Sequence, residues 1–386
     1  MDEEVAVKEK LNPSADPQPS IVKYTAANDS KNGEAVVDVD NGLSGAVGMS
    51  KKELLKYAND PFWVRLRIHS ESNPCQTYPS LVTTISVDLL KDKPFVVKDA
   101  HFGHCMTRWT PEYLADKLKD ISVSVHQSND PKLNFIRKNF SYKTMSLSEM
   151  IDKCLNDCQN YYYLRSVGND RRARDVADIR TQFSSISDDL TIPSFLSMNE
   201  NRDQMQDSAQ RRLFSSVFRI SSKGLVLWTH YDIMDNILVQ VKGSKRVVLF
   251  PPNDCLNLYL ESDKSRVIDI DEPIDQMRDK FPLFLNARRY ECILEESESL
   301  FIPSLWFHNT TALHFSIGMN FFWKDKQLAE ENLYNKSDVY GNKDLNPAID
   351  AFTNLDKALK HIDKMPKKFR DFYLRILINK LQNKLT

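Results

Sequence analysis

The sequence contains no apolar run of the length needed to span a bilayer, so no transmembrane helix is expected from it. It also lacks an excess of either charge. The 52 Lys and Arg residues stand against 53 Asp and Glu, a formal net charge of −1. No global field therefore draws the chain to nucleic acid or to an anionic membrane, and any such contact must use a local basic patch. Cysteine is sparse and unpatterned: Cys75, Cys105, Cys154, Cys158, Cys255 and Cys292 include no C-x-x-C pair. Cys154 and Cys158 lie one helical turn apart, but no second pair completes a metal site. Reduced thiols in a cytoplasmic or nuclear protein are the expectation. The opening residues, Met1-Asp2-Glu3-Glu4, are acidic and lead into no apolar stretch, unlike a secretory signal, so a secreted protein is not expected. What is present is ordinary. With 41% hydrophobic and 27% charged residues over 386 positions, the composition is that of a soluble globular protein. The length suits one large domain with appendages or two modest ones.

Residues 1–50 are rich in Asp, Asn, Ser and Lys without a sustained period, and are expected to form a disordered N-terminal extension. A short helix is expected over Lys51–Ala58. Phe95-Val96-Val97-Lys98 has the composition of a first core strand. Thr110-Pro111-Glu112 provides an N-cap, a proline at the first helical position and an acid near the positive helix end. Ser146-Leu147-Ser148-Glu149 has capping-box spacing and predicts a second helix to about Cys158. Tyr161 to Leu164 is strand-prone, and Asn199 to Arg212 is polar and without pattern, as a loop is. From Phe214 onward short strands dominate: Val217–Ile220, Leu225–His230, Ile237–Val241, Arg246–Phe250, Ser299–Ile302 and Phe315–Trp323. Turn signals such as Lys242-Gly243-Ser244 separate several of them. Many short strands with intervening turns predict a sandwich or barrel, jelly rolls included. The C-terminus then turns helical. Ile349, Phe352, Leu355, Leu359 and Ile362 recur at helical spacing, as do Phe369, Phe372, Tyr373, Ile376 and Leu377. The expected division is an extension over 1–50, a β-rich domain over 51–330 and a helical region over 331–386. The two apolar stripes must be buried against their own domain or in a homodimer contact.

The chemistry concentrates between Trp228 and Phe250. His230-Tyr231-Asp232 sits in a strand-like run, where residues two apart face the same way. An imidazole and a carboxylate aimed together are two members of the 2-His-1-carboxylate triad that holds non-haem Fe(II). His308, after Trp306, is the candidate for the third. Taken alone, His-x-Asp is a weak signal and better suits a satisfied structural histidine. Lys245, opening a strand after the Lys-Gly-Ser turn, can serve as a point charge for the far carboxylate of a dicarboxylate. Asn236 and Asn320 can add hydrogen bonds and Tyr163 a phenol.

Longer stretches extend the pattern. His230-Tyr231-Asp232 with Asn236, Gln240-Val241-Lys242-Gly243-Ser244-Lys245-Arg246 and Leu249-Phe250-Pro251-Pro252 resembles the JmjC-type 2-oxoglutarate oxygenases. It is especially similar to their small hydroxylase branch, which includes the asparaginyl hydroxylase of hypoxia signalling. It is more similar still to the tRNA hydroxylases of wybutosine synthesis. That resemblance runs from about Lys93 to the C-terminus. It takes in Tyr162-Tyr163-Leu164-Arg165-Ser166, Phe214 to Ser222, Ala287-Arg288-Arg289-Tyr290-Glu291-Cys292 and Tyr340-Gly341-Asn342-Lys343-Asp344. It implies a mainly β fold, a double-stranded β-helix (cupin, jelly-roll) core with flanking helices and a C-terminal helical segment. His230, Asp232 and His308 would hold Fe(II), and Lys245 and Tyr163 would bind 2-oxoglutarate, with Asn236 near and Asn320 as a further candidate. The family's Gly-Asp turn is replaced by Glu295-Glu296-Ser297-Glu298, and His314 is a spare imidazole expected to be a surface or packing residue.

The implied activity is an Fe(II)- and 2-oxoglutarate-dependent hydroxylase. Its substrate would be the undermodified wybutosine side chain of phenylalanine tRNA. The basic clusters Arg171, Arg172 and Arg174, Arg288-Arg289, and Lys364, Lys367, Lys368 and Arg370 are candidates to face tRNA, although a charge run is more often a solvated face. A protein side-chain hydroxylase of the same fold and a non-enzymatic cupin-like scaffold are the alternatives.

Overall fold

The computed structural model describes residues 93–98, 101–168, 175–192 and 212–385, and the backbone of three strands nearer the N-terminus. These are β1 (Lys23–Asp29), β2 (Glu34–Asp40) and β3 (Val64–Ile68). The expected disordered stretch over 1–50 lies outside the described residues apart from β1 and β2, which pair antiparallel. The helix expected near Lys51 lies outside them altogether, as do Arg171, Arg172, Arg174 and residues 199–211.

The remaining strands are β4 (Phe95–Lys98), β5 (Ser122–Ser128), β6 (Ser141–Ser146), β7 (Tyr161–Arg165) and β8 (Arg212–Ser221). They continue with β9 (Val226–His230), β10 (Asp235–Lys242), β11 (Lys245–Phe250), β12 (Leu260–Glu261) and β13 (Lys264–Ser265). The last are β14 (Tyr290–Leu294), β15 (Ser299–Ile302), β16 (Phe307–Ala312) and β17 (Ser316–Lys324). They form a large sheet in the order β1-β2-β3-β4-β15-β10-β17-β8-β7-β5-β6 and a small one in the order β12-β13-β9-β16-β11-β14. From β8 to β11, and again from β15 to β17, successive strands alternate between the two sheets. That alternation is the double-stranded β-helix. It depends on tight connections. At the turn from β10 to β11, Gly243 adopts φ +72°, and a Cβ there would lie 2.1 Å from the Phe315 carbonyl oxygen.

The two sheets enclose one core and cover another. Between them, Val96, Leu238 and Leu300 pack against Val247, Leu249 and Leu294. On the outer face of the large sheet, Phe218, Val239, Met319 and Phe321 meet Leu114, Leu118, Leu147 and Met150 from the helical side. β10 and β17 are consequently buried on both faces, and so read as nearly continuous apolar runs. The helices Pro111–Lys117 and Leu147–Asn156 begin where their caps predict. Thr110 Oγ1 accepts from the Tyr113 amide at 3.2 Å, and Ser146 Oγ from the Glu149 amide at 3.1 Å. The second helix stops at Asn156, short of Cys158, where Asp157 turns the chain.

By contacts the chain divides into residues 1–326 with 339–342, and residues 327–338 with 343–386. The second unit contains the helices Asn346–Ile362 and Lys367–Gln382, which the apolar periodicity predicts. Phe352, Phe369, Phe372, Tyr373 and Ile376 are all exposed.

Candidate metal centre

His230 is the last residue of β9, and Asp232 follows just past the strand end, in the connection to β10. The expected alternation along one strand is therefore not what pairs them; the chain leaves the sheet between the two. Asp232 is held from the other side, where its carbonyl accepts from the Leu305 amide at 2.8 Å. Next to it, Asp235 Oδ1 accepts from the Ser304 amide at 2.9 Å. These bonds tie the turn between β15 and β16 to the segment that carries the carboxylate. The turn also sets the placement of His308, which stands second in β16 after Pro303 to Trp306 reverse the chain with Leu305 at φ +68°.

β16 pairs with β9 so that His308 lies opposite His230, with ring centroids 4.3 Å apart. One ligand atom from each of His230, Asp232 and His308 lies within 4.8 Å of the others. The Nε2 of His308 is 3.5 Å from Asp232 Oδ2. Each histidine donates its Nδ1–H to the carbonyl two residues earlier, His230 to Trp228 at 2.9 Å and His308 to Trp306 at 3.1 Å. This fixes the tautomer and leaves each Nε2 lone pair available to a metal. Burial pushes His308 down to about 4; burial and then His308 hold His230 well below the ordinary histidine range. Both imidazoles are neutral at pH 7, as ligation requires. Trp228 stacks on Phe135 at 3.6 Å and lies 4.8 Å from the His230 ring, covering it on one side.

A second group of polar residues shares this interior. Lys245 opens β11, is 6% exposed and has no acidic partner among the described residues. Burial, and secondarily Arg219, lower it to about 7. Its Nζ occupies space that a side chain on β17 would fill, since a Cβ on Gly318 would lie 3.2 Å from it. Asn320 donates to Asn236 Oδ1 at 2.9 Å. Arg219 donates through Nε to Asn320 Oδ1 and through Nη1 to the Tyr163 hydroxyl. Tyr163, Arg219, Asn320 and Asn236 thus form one continuous polar row on the inner face of the large sheet. Arg219 also acts on the charge of His230, His308 and Lys245, and it stands opposite Gly318, beside which Lys245 Nζ lies. A buried lysine without an acidic partner among the described residues, together with a triad of metal-ligating atoms, is a donor set that could hold a metal-bound dicarboxylate.

Other candidate residues fall elsewhere. His314 is exposed, with Nδ1 2.9 Å from Ser244 Oγ, and is not part of the triad. Arg288 is engaged by Asp254, and Arg289 by Asp271 and Glu291, acids that also hold Arg246. This pair is largely neutralised on the surface. Arg165 had no assigned role in the sequence, yet period-two spacing from Tyr163 places it on the same face of β7.

Residues 88–328 match the family model described as the cupin-like domain, and residues 34–71 match that of the solute carrier family 3 member 2 N-terminus. The chain is 45% identical over 300 residues to the tRNA wybutosine-synthesizing protein 5 of Danio rerio, covering 76% of this chain and 86% of that protein. To the human protein of the same name it is 44% identical over 300 residues, covering 76% and 89%. It is 31% identical over 294 residues to the tRNA wybutosine-synthesizing protein 4 of Gibberella zeae, but spans only 27% of that longer protein. Among the described residues, no helix is long and apolar enough to cross a membrane. The chain belongs to the cupin-like, JmjC-type family, in the group formed by the tRNA wybutosine-synthesizing protein 5 relatives.

Proposed function

We propose that this chain is an Fe(II)- and 2-oxoglutarate-dependent hydroxylase acting in wybutosine modification. It would hydroxylate carbon on the undermodified side chain in phenylalanine tRNA to give hydroxywybutosine. The observation that carries this reading is the tautomer-locked His230–Asp232–His308 cluster together with the buried Lys245, which has no acidic partner among the described residues. Its relatives' names supply the tRNA.

His230, Asp232 and His308 would hold Fe(II), and the donor set fits, being two neutral imidazoles and one carboxylate. Lys245 would neutralise the far carboxylate of 2-oxoglutarate, while Tyr163, Asn236 and Asn320 add hydrogen bonds. Fe(II) with 2-oxoglutarate and oxygen supplies the oxidising chemistry, releasing succinate and carbon dioxide as a C–H bond becomes C–OH. Arg219 orients the Tyr163 hydroxyl and the Asn320 amide, so these groups meet the co-substrate without rearranging. The Nδ1 bonds of both histidines keep the rings from turning. Trp228 and Phe135 shield His230 from bulk water.

The test is 2-oxoglutarate decarboxylation by the purified protein with Fe(II), with and without phenylalanine tRNA from cells blocked at the final hydroxylation. Stimulation by that tRNA, with one oxygen gained on the modified guanosine, supports the reading. Turnover indifferent to tRNA redirects it to a protein substrate, and no turnover with no co-substrate binding leaves a scaffold.

The C-terminal unit supports a homodimer. Phe369, Phe372, Tyr373 and Ile376 form an exposed apolar stripe on the helix Lys367–Gln382, a face that a second copy would cover. Replacing both Phe372 and Ile376 by Glu should convert a species of twice the chain mass to a single chain by light scattering. A wild type that already runs as a single chain removes the dimer. Lys364, Lys367, Lys368 and Arg370 adjoin this stripe and would offer tRNA a basic edge.

A further inference from the structure

Arg165 and Arg219 stand directly opposite each other on the antiparallel pair β7–β8. Like charges in that register repel, and neither arginine forms an ion pair among the described residues. Arg219 is occupied by Tyr163 and Asn320. Arg165 is half-buried, 4.5 Å over the Tyr340 ring, with Nη2 3.4 Å from the Tyr340 carbonyl oxygen. Those are weak partners for a guanidinium, which has five donors. The groups acting on its charge are Arg219, which opposes it, and Asp232, Tyr163 and Tyr340, which favour it; burial and Arg219 bring it down to about 10. Gly318 lies opposite Arg219 on the β8–β17 pair, and a Cβ there would lie 3.2 Å from Lys245 Nζ, so Arg165, Arg219 and Lys245 are neighbours. None of the three forms an ion pair among the described residues, which leaves an excess of positive charge beside the triad. On the reading proposed above, on which this inference rests, a dicarboxylate and a divalent cation add charges that cancel. The excess therefore persists with the co-substrates in place.

We propose that Arg165 is a second anion subsite, which binds an oxyanion of the nucleotide being hydroxylated. The oxyanion is a carboxylate on the side chain of the base or the adjoining phosphate. Arg165 lies two residues beyond Tyr163 on the same face of β7, about 7 Å along the strand. An anion held there sits beside the co-substrate's place and does not compete for it. The planar fork of arginine suits bidentate capture of an oxyanion, and fixing one end of the nucleotide orients the C–H bond at the other.

The test compares Arg165→Met and Arg165→Lys with wild type, using the undermodified phenylalanine tRNA and 2-oxoglutarate as separately varied substrates. For Arg165→Met, KM for the tRNA is expected to rise roughly 10- to 100-fold, the range for losing a charge-assisted contact, with far less change in KM for 2-oxoglutarate. Arg165→Lys should recover part of the loss, because a point charge remains, which a merely structural role would not show. Circular dichroism of both variants checks folding, and if the Met variant unfolds the Lys variant alone must still show a raised KM for tRNA. Amidating the tRNA carboxylates with carbodiimide and methylamine separates the sources. A raised wild-type KM, not raised further by Arg165→Met, assigns the carboxylate, and no effect of amidation assigns the phosphate. An unchanged KM for tRNA in both variants, or an equal rise for 2-oxoglutarate, overturns the inference while leaving the hydroxylase intact. Absence of tRNA-stimulated turnover in wild type removes the hydroxylase reading and this inference with it.

Discussion

His308→Ala should lose turnover by more than about 100-fold, since even outer-shell partners of metal ligands cost about 10- to 100-fold and His308 would be a ligand itself. The expectation follows from how few groups make up the centre. Only His230, Asp232 and His308 combine into a cluster of metal-ligating atoms among the described residues. Removing one leaves two ligands, and Asp232 also loses the imidazole 3.5 Å from its Oδ2. Metal analysis after dialysis against Fe(II) or Mn(II) should show near-stoichiometric binding in wild type and little in the variant. Turnover within tenfold of wild type, or full metal retention, would remove His308 from the ligand set. The fold should survive, because β16 is held by backbone pairing with both β9 and β11.

Lys245→Met should move two quantities in opposite directions. The lysine is 6% exposed and has no acidic partner among the described residues, so its charge is a cost to the free protein. Methionine fills similar space without that cost and should raise the melting temperature. Truncating one member of a buried charge pair costs about 2–5 kcal/mol. In 2-oxoglutarate affinity this is a loss of roughly 30- to several thousand-fold. The pH dependence has a definite sign. Burial lowers Lys245 from 10.5 to about 7, so between those values the folded chain binds fewer protons than the unfolded one. Its contribution to stability therefore rises with pH across that window, and the full penalty is present below about 7. Binding a dicarboxylate restores the proton, so wild-type affinity should weaken as pH rises above about 7, by up to about tenfold per unit. Calorimetric titration of 2-oxoglutarate into protein loaded with a redox-inert divalent metal, from pH 6.5 to 9, reads both effects. A Lys245→Met variant with wild-type affinity and an unaltered pH slope would exclude Lys245 from the dicarboxylate site.

Much of the fold is legible in the sequence where one physical signal dominates. The caps at Thr110 and Ser146 are local hydrogen-bond devices and mark their helices without tertiary information. β10 and β17 are buried on both faces, so their composition alone declares them. The strands that escape an apolar pattern are those with a polar side to serve. β16 carries His308, Asn309, Thr310 and Thr311, all but Thr311 buried, and its polar groups find partners such as Trp306 for His308 and Thr229 for Asn309. β5 and β6 alternate weakly for a different reason, with much of β6 exposed at the sheet edge.

At the candidate centre, residue type and spacing select His230, Asp232, His308 and Lys245, since few other side chains can do this chemistry. Their convergence belongs to the tertiary structure. His230 and His308 are 78 positions apart and meet only because β9 and β16 pair in the small sheet. Asp232 joins them through the Leu305 amide, not through strand alternation. The roles of Arg219 and Arg165 are likewise not readable from type. An arginine in a strand is ordinarily a solvated face, and these two meet polar and aromatic partners inside the fold only because β7 and β8 place them in register. The sequence by itself determined the β-rich class and the helical C-terminus through local propensity and periodicity, and it named the candidate ligand residues by their type. Only the tertiary structure decided which of those groups meet, because pairing between distant strands sets distance and burial, and burial sets charge.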